Sequence, residues 1–215
     1  MEATYLLNSG FLVRVGEILL VFDAFDDPAG VLPKEIGTHG DAPLYFFASH
    51  AHFDHFNPMI ADFSAHTTRY ILSEDIREHA GAARIPQDKT TWIGCYDAWK
   101  DECISVTSFS STDEGTSCLV EVDGKRIFHA GDFNWWDWTG DTEVNRKFAE
   151  NGFRKQMKRL AGLSCDIAFF PVDGRLGPSM ERGAKVFCAE TNPRALVAMH
   201  SVGYPAWQPS TDFFA

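Results

Sequence analysis

The sequence predicts an α/β domain built from two β-sheets, in which helices follow strands in each half of the chain. Short alternating or wholly apolar runs bounded by turn residues recur along the sequence and indicate strands. At least two segments carry helical periodicity behind such strands. With 215 residues, 45% of them hydrophobic, and no linker or low-complexity run, the chain is expected to form a single domain over residues 1–215.

The first half of the chain is predicted to consist mainly of strands. In chain order these are ATYLLN, FLVRV, EILLVFD, PLYFFASH and RYILS, and a helix is expected over 74–82. Three more strands are predicted, over 103–109, 116–122 and 125–132. The last two are separated by VDGK, an Asp-Gly turn signal that predicts a hairpin.

The second half contains the clearest helix, DTEVNRKFAENGFRKQMKRLAGL. Acidic residues open it and basic residues close it, which suits the helix dipole. Val144, Phe148, Met157 and Leu160 are expected to supply much of its buried stripe. A buried strand at 165–174, a helix at 179–190 and a final buried strand at 194–201 complete the prediction.

Composition limits the classes of partner. The 30 acidic residues outnumber the 19 basic ones and give a formal net charge of -11, which argues against binding to nucleic acid or to an anionic membrane surface. A small-molecule substrate remains open even if it is anionic, because a metal site supplies local positive charge. The state of association is left open, and homo-oligomers are compatible with the sequence, the C-terminal PSTDFFA either packing on a neighbour or fraying.

The sequence favours a cytoplasmic protein. No run approaches the roughly 18 apolar residues that a spanning helix needs, and the N-terminus lacks the basic start and apolar block of a signal peptide. The five cysteines are odd in number and share no CxxC spacing, so reduced thiols are expected.

The stretch SHAHFDHFNP, residues 49–58, is the strongest functional signal. Side chains two apart in an extended segment project to one side, so His50, His52 and Asp54 are expected to lie together at the end of a buried strand. His55 joins them if the chain turns at once, and Asn57-Pro58 favours the start of a helix there. Imidazole and carboxylate donors of this kind suit zinc or a related divalent metal.

H-x-H-x-D-H after an apolar strand resembles the signature of the metallo-β-lactamase-fold hydrolases. Three further motifs resemble that family in the same order: LLVFDAF, IFHAGDFN and LVAMHS. The resemblance covers about residues 23 to 200 and implies an αββα sandwich with metals at one edge between the sheets. The sequences of the later motifs also resemble those of an uncharacterised bacterial subgroup of this family, which has some likeness to sugar-phosphate lactonases.

The resemblance implies a role for each motif residue. Asp23 corresponds to a carboxylate that supports the metal-binding loop, Asp132 to one that bridges two metals, and His200 to a late histidine ligand. His50 and His52 would hold one metal, and Asp54, His55 and His200 the other, with two zinc ions favoured and manganese or iron as alternatives. A metal-bound hydroxide would then attack a small ester, lactone or phosphoester, with Asp54 or Asp173 handling protons.

One motif departs from the family pattern. Where the family has a histidine before a strand, this chain has FSSTDEGTSCLV, which contains none. Asp113 or Thr112 falls at that place, and Asp113 is the better candidate because a carboxylate is a competent zinc ligand. A turn carboxylate that caps the next strand is the alternative role for Asp113. More carboxylate and less imidazole moves the metal preference toward harder ions.

Other residues near the motifs carry weaker signals. Asp173 in FFPVDGR is expected either to contact the substrate or the metal ligands, or to form a simple Asp-Gly turn. Arg175 could bind a substrate anion or be a solvated loop arginine. Trp135, Trp136 and Trp138 either line the pocket or pack under the following helix, and His129 is expected to be structural.

Two other functions stay open. A non-catalytic binding or sensor domain would explain the missing histidine, and a pair of irons would support redox chemistry with oxygen or nitric oxide. The hydrolase is preferred because Asp54, Asp132 and His200 are all retained, whereas a structural zinc site needs only four ligands.

Overall fold

Two six-stranded β-sheets form the body of the protein. A computed structural model describes residues 1–201 and 203–213. The first sheet contains, in spatial order, β1 (Glu2–Tyr5), β2 (Phe11–Val15), β3 (Ile18–Phe22), β4 (Leu44–Ala48), β5 (Thr67–Ser73) and β6 (Thr90–Ile93). Strands β7 (Ala98–Lys100), β8 (Ile104–Ser110), β9 (Thr116–Val122), β10 (Lys125–His129), β11 (Ile167–Pro171) and β12 (Leu196–Met199) form the second sheet, in the order β12-β11-β10-β9-β8-β7.

Each sheet joins an antiparallel part to a parallel part. In the first sheet β1, β2 and β3 pair antiparallel, whereas β3 to β6 pair parallel. In the second sheet β7 to β10 form an antiparallel meander, and β11 and β12 are added parallel to β10. The predicted hairpin is present between β9 and β10, where Asp123 and Gly124 adopt positive φ angles of 45° and 68°.

Alternating side chains divide the core between two layers. Phe11, Val13, Leu20 and Phe22 face the second sheet and belong to one continuous core with Phe169 and its neighbours. The residues in between point to the other face of the first sheet, where Leu12, Leu19 and Val21 join a second core. The period of two along a strand therefore makes the first sheet apolar on both faces, as expected for a sheet covered on both sides.

Helices and short 3₁₀ segments cover the outer faces. Three α-helices occur within the described residues: α1 (Val31–Thr38), α2 (Glu143–Leu160) and α3 (Arg182–Thr191). Leu32 and Ile36 of α1 pack on the first sheet, together with 3₁₀ residues such as Ile60. Helices α2 and α3 contribute Phe153 and Phe187 to the core of the second sheet. The four-layer αββα sandwich is thus confirmed.

Several local predictions need correction. Helix α1 and strands β6 and β7 were not expected. The helix predicted over 74–82 is replaced by two 3₁₀ segments, Glu74–Glu78 and Ala80–Arg84. They are separated by His79, whose backbone is extended and whose Nδ1 accepts a hydrogen bond from the Gly81 amide at 3.0 Å. Asn57 begins a helix as predicted, by accepting from the Met59 amide at 2.9 Å, but the helix is a 3₁₀ segment, Pro58–Phe63.

The buried stripe of α2 was predicted only in part. Met157 and Leu160 are buried with Phe153, whereas Val144 and Phe148 are 78% and 80% exposed. Phe148 lies about 140° around the helix from Phe153, given 100° per residue. Phe153, Met157 and Leu160 form the face of α2 that packs on the core, whereas the face that includes Phe148 borders an open cavity. The apolar residues of the helix are therefore not all on one buried face.

The C-terminal segment packs on its own domain. Phe213 is 5% exposed and meets the Trp207 ring edge-on, with the centroids 5.0 Å apart. Phe214 and Ala215, for which packing or fraying was also considered, lie outside the described residues.

All five cysteine thiols are free, as expected. Within the described part of the chain, we find no helix of the length and apolarity that crossing a bilayer requires.

The two faces of α2 can be separated by a matched pair of substitutions. Phe153→Ala removes a fully buried ring and should lower the free energy of unfolding by about 3–5 kcal/mol. Phe148→Ala removes an exposed ring and should change it by less than about 0.5 kcal/mol. Urea denaturation followed by circular dichroism measures both. Equal losses would contradict the assigned orientation of the helix.

Candidate metal centre

The candidate site lies at the edge where the parallel strands of both sheets end. Asp23 follows β3 and His50 follows β4 by two residues, while Asp132, Asp173 and His200 come shortly after β10, β11 and β12. The carboxyl ends of parallel strands meet at one edge of a sheet, so residues distant in sequence are gathered there. The loop between β8 and β9, which carries Asp113, reaches the same edge.

Asp23 holds the histidine-rich loop in place. Its carboxylate accepts hydrogen bonds from the Ser49 amide at 2.8 Å, the Ser49 hydroxyl at 2.7 Å and His55 Nδ1 at 2.7 Å. Asp23 is 1% exposed and has a φ of 43°, a conformation that aspartate tolerates better than most residues. The structure therefore confirms the supporting role expected for this residue.

Two glycines bring the second sheet close to this loop. Gly115 has a φ of 63°, and a Cβ there would lie 2.0 Å from the Ser49 carbonyl oxygen. Gly131 has a φ of 52°, and a Cβ there would lie 2.7 Å from Ser49 Cβ. Both positions require glycine for the backbone angle and for the close approach.

The first two imidazoles are each held from outside. Nδ1 of His50 is 3.0 Å from the Ser49 hydroxyl, and Nε2 of His52 is 3.4 Å from a Glu114 carboxylate oxygen. Their remaining nitrogens, Nε2 of His50 and Nδ1 of His52, converge to 3.0 Å from each other.

The other two imidazoles follow the same plan. Nδ1 of His55 meets Asp23, and Nδ1 of His200 is 3.0 Å from Asp173. Their Nε2 atoms point to Asp132 Oδ1, at 3.2 Å from His55 and 3.4 Å from His200. An imidazole with one nitrogen fixed by an outer partner and the other turned inward is the arrangement that metal-binding histidines adopt.

All the ligands predicted from the sequence come together. Each of three groups has donor atoms within 4.8 Å of one another: His50, His55 and Asp132; Asp54, His55 and His200; and His52, Asp113 and Asp132. Asp132 and His55 each belong to two groups. These positions agree with the predicted ligand set, and whether each residue binds an ion stays a prediction.

The geometry distinguishes Asp113 from Thr112. The Thr112 hydroxyl donates to the Asn134 carbonyl at 2.6 Å and accepts from the Asn134 amide at 2.9 Å, so it is committed to the backbone. The Asp113 carboxylate instead shares a group with His52 and Asp132. Burial and the neighbouring Asp132 carboxylate raise the pKa of Asp113, a repulsion that a cation between them would relieve.

Asp54 and Asp173 occupy different surroundings. Asp54 borders the cavity and accepts from Asn8 Nδ2 at 3.0 Å. Asp173 is 1% exposed, and its carboxylate binds His200, the Arg175 guanidinium and the Arg175 amide. Asp173 therefore caps a turn and also orients His200, which favours a positioning contact over direct contact with a substrate. Arg175 is paired with Asp173 and borders the cavity.

Burial and the close approach of carboxylates and imidazoles shift the pKa values of the residues in the cluster. Burial, followed by the neighbouring His55 imidazole, lowers the pKa of His50 to about 4. Burial also opposes protonation of His55 and His200, but the nearby carboxylates of Asp132 and of Asp23 or Asp173 outweigh it and raise their pKa values to about 10 and about 9. Burial would raise the pKa of Asp132, yet the nearby imidazoles of His200 and His55 hold it well below the usual value.

The residues present fit divalent metal ions. His55 Nε2 and Asp132 Oδ1 are buried and lack a well-aligned hydrogen-bond partner, although they lie 3.2 Å apart. Both atoms belong to donor groups of imidazole and carboxylate, the ligands that zinc, manganese and iron accept. Buried polar atoms without partners are rare in native proteins, and a bound cation would satisfy both.

A cavity of about 750 Å³ opens beside the cluster. Trp136 and Trp138 line it and stack on each other with centroids 5.8 Å apart, and the Trp136 ring meets His200 edge-on at 5.5 Å. Trp135 instead is 8% exposed and stacks on Phe153 under α2. Both alternatives considered for the tryptophans therefore occur.

His129 is structural as expected, since it is buried and Nε2 donates to the Ser9 carbonyl at 2.9 Å.

Three site residues were not found from the sequence. Ser49 links Asp23 to His50, Glu114 contacts His52, and Asn8 donates to Asp54. Ser49 and Glu114 are direct neighbours of His50 and Asp113, so proximity in sequence was an available signal. Asn8 lies 46 residues from Asp54, and nothing local indicates the contact.

Comparisons with known proteins identify the fold. No protein-family model matches the chain. The UPF0173 metal-dependent hydrolase of Thermus thermophilus is 22% identical over 225 aligned positions, covering 100% of this chain and 90% of the relative. A metallo hydrolase from the archaeon Ignicoccus hospitalis matches with a TM-score of 0.67 and 17% identity, covering 98% of this chain and 87% of that structure.

Two further solved structures are similar. A metallo-β-lactamase fold protein of Bacillus subtilis has a TM-score of 0.57 and 14% identity over 93% of this chain and 81% of that chain. The di-iron β-hydroxylase CmlA of Streptomyces venezuelae has a TM-score of 0.60 and 11% identity over 92% of this chain, which matches 44% of that longer chain. The protein thus has the metallo-β-lactamase fold, as its sequence motifs implied.

The support given by Asp23 can be tested with the isosteric Asp23→Asn. An amide has only one acceptor oxygen, so it cannot receive all the bonds from Ser49 and His55, and divalent-metal affinity should fall about 10–100-fold. Zinc titration against a competing chelator measures the affinity. Asp26→Asn, an exposed change three residues further on, is the control and should bind like the wild type. Equal affinity in Asp23→Asn would contradict the role.

Metal binding should release protons. Because the pKa values of His55 and His200 are raised to about 10 and about 9, both imidazoles hold protons at neutral pH in the metal-free protein. A metal must displace these protons, so the apparent affinity should increase as the pH rises from about 6 to 8. Calorimetry in buffers of different ionisation enthalpy counts the protons released. Affinity that does not depend on pH would contradict the assigned protonation.

Proposed function

We propose that this chain of the metallo-β-lactamase fold is a metal-dependent hydrolase that acts on a small ester, lactone or phosphoester. The observation that carries the proposal is the inward convergence of four imidazoles around Asp132, each with a carboxylate or hydroxyl partner on its outer side. The hydrolase names of the Thermus and Ignicoccus relatives agree with it. The cavity beside the cluster gives a substrate access to these residues.

The donor groups suggest how two divalent ions, zinc foremost, would be held. His50, His52 and Asp113 would bind one, and Asp54, His55 and His200 the other. Asp132 would be shared, since its Oδ2 is 3.7 Å from His50 Nε2 and its Oδ1 is 3.2 Å from His55 and 3.4 Å from His200. When bound, such ions lower the pKa of water and polarise a carbonyl or phosphoryl oxygen. Asp113 in place of an imidazole makes the first site richer in carboxylate, and manganese or iron are the alternatives that this favours.

The remaining groups would position the reaction and handle its protons. Asp54 is about one-quarter exposed and borders the cavity, and its Oδ2 is engaged by Asn8. Asp54 would therefore accept or return a proton with its other oxygen. Asp173 would fix the ring of His200 and keep Nδ1 protonated. Trp136 and Trp138 would limit the access of water to the reacting group.

Net charge and cysteine content support a proposal about the partners and the cellular location of the protein. The formal net charge of -11 supports a small-molecule substrate and no nucleic-acid or membrane partner. We further propose a cytoplasmic location, on the odd cysteine count and the five free thiols. Self-association into a homo-oligomer is compatible with this function.

A second candidate is oxidative chemistry at a pair of irons. The structural similarity to the di-iron β-hydroxylase CmlA and the carboxylate at Asp113 support it. A non-catalytic binding or sensor domain is the third alternative. The retained Asp54, Asp132 and His200 argue against it, because a structural site would not need the shared carboxylate or the open cavity.

Metal content distinguishes these candidates. We expect close to two zinc or manganese ions per chain, measured by plasma mass spectrometry on protein purified without added metal. Asp132→Ala should lose most of the metal, since it removes the shared donor, and Asp113→Ala should lose about one ion per chain. Asp141→Ala is the control, because it borders the cavity outside the donor groups and should keep the wild-type content.

The catalytic part of the proposal is tested on the same preparations. Metal-loaded wild-type protein should hydrolyse at least one of a panel of esters, lactones and phosphoesters, and chelation or Asp132→Ala should abolish the activity. Iron as the resident metal would favour the redox candidate. One ion or none, unaffected by Asp113→Ala, together with no turnover, would favour the binding domain.

A further inference from the structure

Helix α2 presents a second face to the cavity, separate from the face that packs on the sheet. The residues of this face are spaced three or four apart, which places them along one side of the helix. They are Asn145, Phe148, Gly152, Lys155 and Gln156, with Ala149 beside them. From Asn145 to Gln156 the helix rises about 16 Å, so the cavity is an elongated groove along α2.

The rim of this groove is aromatic and exposed. Phe148 is 80% exposed, and Phe53 in the histidine-rich loop is 83% exposed. Both border the cavity, and neither packs against another aromatic ring in the described part of the chain. Trp136 and Trp138 extend the aromatic lining to His200. Large apolar side chains left exposed around a concave site are typical of ligand-binding grooves.

Gly152 leaves the middle of the groove open. It lies inside α2, where glycine is the least favourable residue apart from proline. A Cβ at this position would meet nothing within 4 Å, so packing within the protein does not require glycine. Its φ is not in the left-handed region either. The missing side chain keeps free volume beside Phe148, where a molecule bound along the helix would pass over Gly152.

We propose that the substrate carries an elongated apolar arm, an acyl or aryl group of about six carbons or more, which lies along α2 over Gly152 and against Phe148 and Phe53. The inference rests on the proposed hydrolase function and specifies its substrate class. The hydrolysed bond lies at the metal-ligand cluster and the arm extends from it along the groove. A cavity of about 750 Å³ is far larger than an acetyl group needs and suits a substrate of this size.

The test compares chain lengths on metal-loaded protein. We expect kcat/KM for p-nitrophenyl octanoate to exceed that for p-nitrophenyl acetate at least about tenfold, since each buried methylene adds a severalfold factor. Gly152→Leu fills the groove and should lower the octanoate-to-acetate ratio about tenfold. Phe148→Ala, a change at an exposed position, should lower the same ratio and guards against misfolding of the first variant.

The matched control is Asn151→Leu, the same new side chain one position earlier, where the residue is exposed and does not border the cavity. It should keep the wild-type ratio. Equal values for the two esters in the wild type, or an equal loss in Asn151→Leu, would overturn the groove while leaving the hydrolase intact.

A binding measurement separates this inference from the proposed function. Calorimetry should show sodium octanoate binding the metal-loaded protein at least about tenfold more tightly than sodium acetate, with the difference lost in Gly152→Leu. If no ester is hydrolysed but this difference is seen, the groove is supported and ester hydrolysis is wrong, while the lactones and phosphoesters of the panel test the hydrolase separately. If octanoate and acetate bind equally, the apolar arm is overturned whatever the esters show.

Discussion

The buried carboxylate of Asp23 is the interaction on which the rest of the site depends. It accepts from the amide and hydroxyl of Ser49 and from His55, and so determines both the path of the histidine-rich loop and the orientation of one ring. The same Ser49 receives a hydrogen bond from the Thr116 amide at 2.9 Å on its carbonyl oxygen. Ser49 thus joins the segment after β4 to the end of β3 through Asp23, and joins the first sheet to the second through Thr116. A buried charge without such partners would be strongly destabilising.

The carboxylates around the cluster explain why a metal ion would have to compete with protons there. Asp132 is 4% exposed among histidines that burial would keep neutral, yet the acid and two of the imidazoles stabilise each other in charged form. The outer partners hold the rings in their positions, and the inward nitrogens are left for a cation. Such a site would be preorganised for a metal ion, because its candidate ligands are oriented by contacts made on the side away from the cluster centre. The energetic cost of gathering these groups is met by the surrounding fold.

Helix α2 shows how one element serves both packing and binding. Its stripe of Phe153, Met157 and Leu160 anchors it to the second sheet, and its other face borders the cavity. The stabilisation of the helix therefore does not depend on Phe148 or Gly152, so these positions are free to shape the groove. Thr142 begins the helix by accepting from the Asn145 amide at 3.2 Å, which places Asn145 at the start of the groove.

The sequence by itself determined the parts of the protein that depend on local pattern. Alternating or wholly apolar runs predicted ten of the twelve strands that the described residues form. The spacing of His50, His52, Asp54 and His55 after a buried strand predicted four of the seven candidate ligands. The motifs around Asp132 and His200 identified the rest by resemblance. The missed elements have weak local signals. Strands β6 and β7 are short, and α1 contains Pro33 and Gly37 and is begun by the Asp27 carboxylate, four residues before Val31, with no side-chain cap at Gly30.

Tertiary structure alone decided what depends on residues far apart in the chain. The Thr112 hydroxyl donates a hydrogen bond to the carbonyl of Asn134, 22 residues away. Because this hydroxyl is already occupied, Asp113 is left as the candidate ligand. The exposure of Val144 and Phe148 depends on where α2 leaves the sheet, which helical periodicity cannot specify, since it gives the spacing of a stripe but not its partner. The role of Asp173 depended likewise on His200, 27 residues later. Neighbours in sequence determine the secondary structure and the spacing of side chains. Tertiary packing determines which face of a helix is buried and which of two adjacent polar side chains reaches the site.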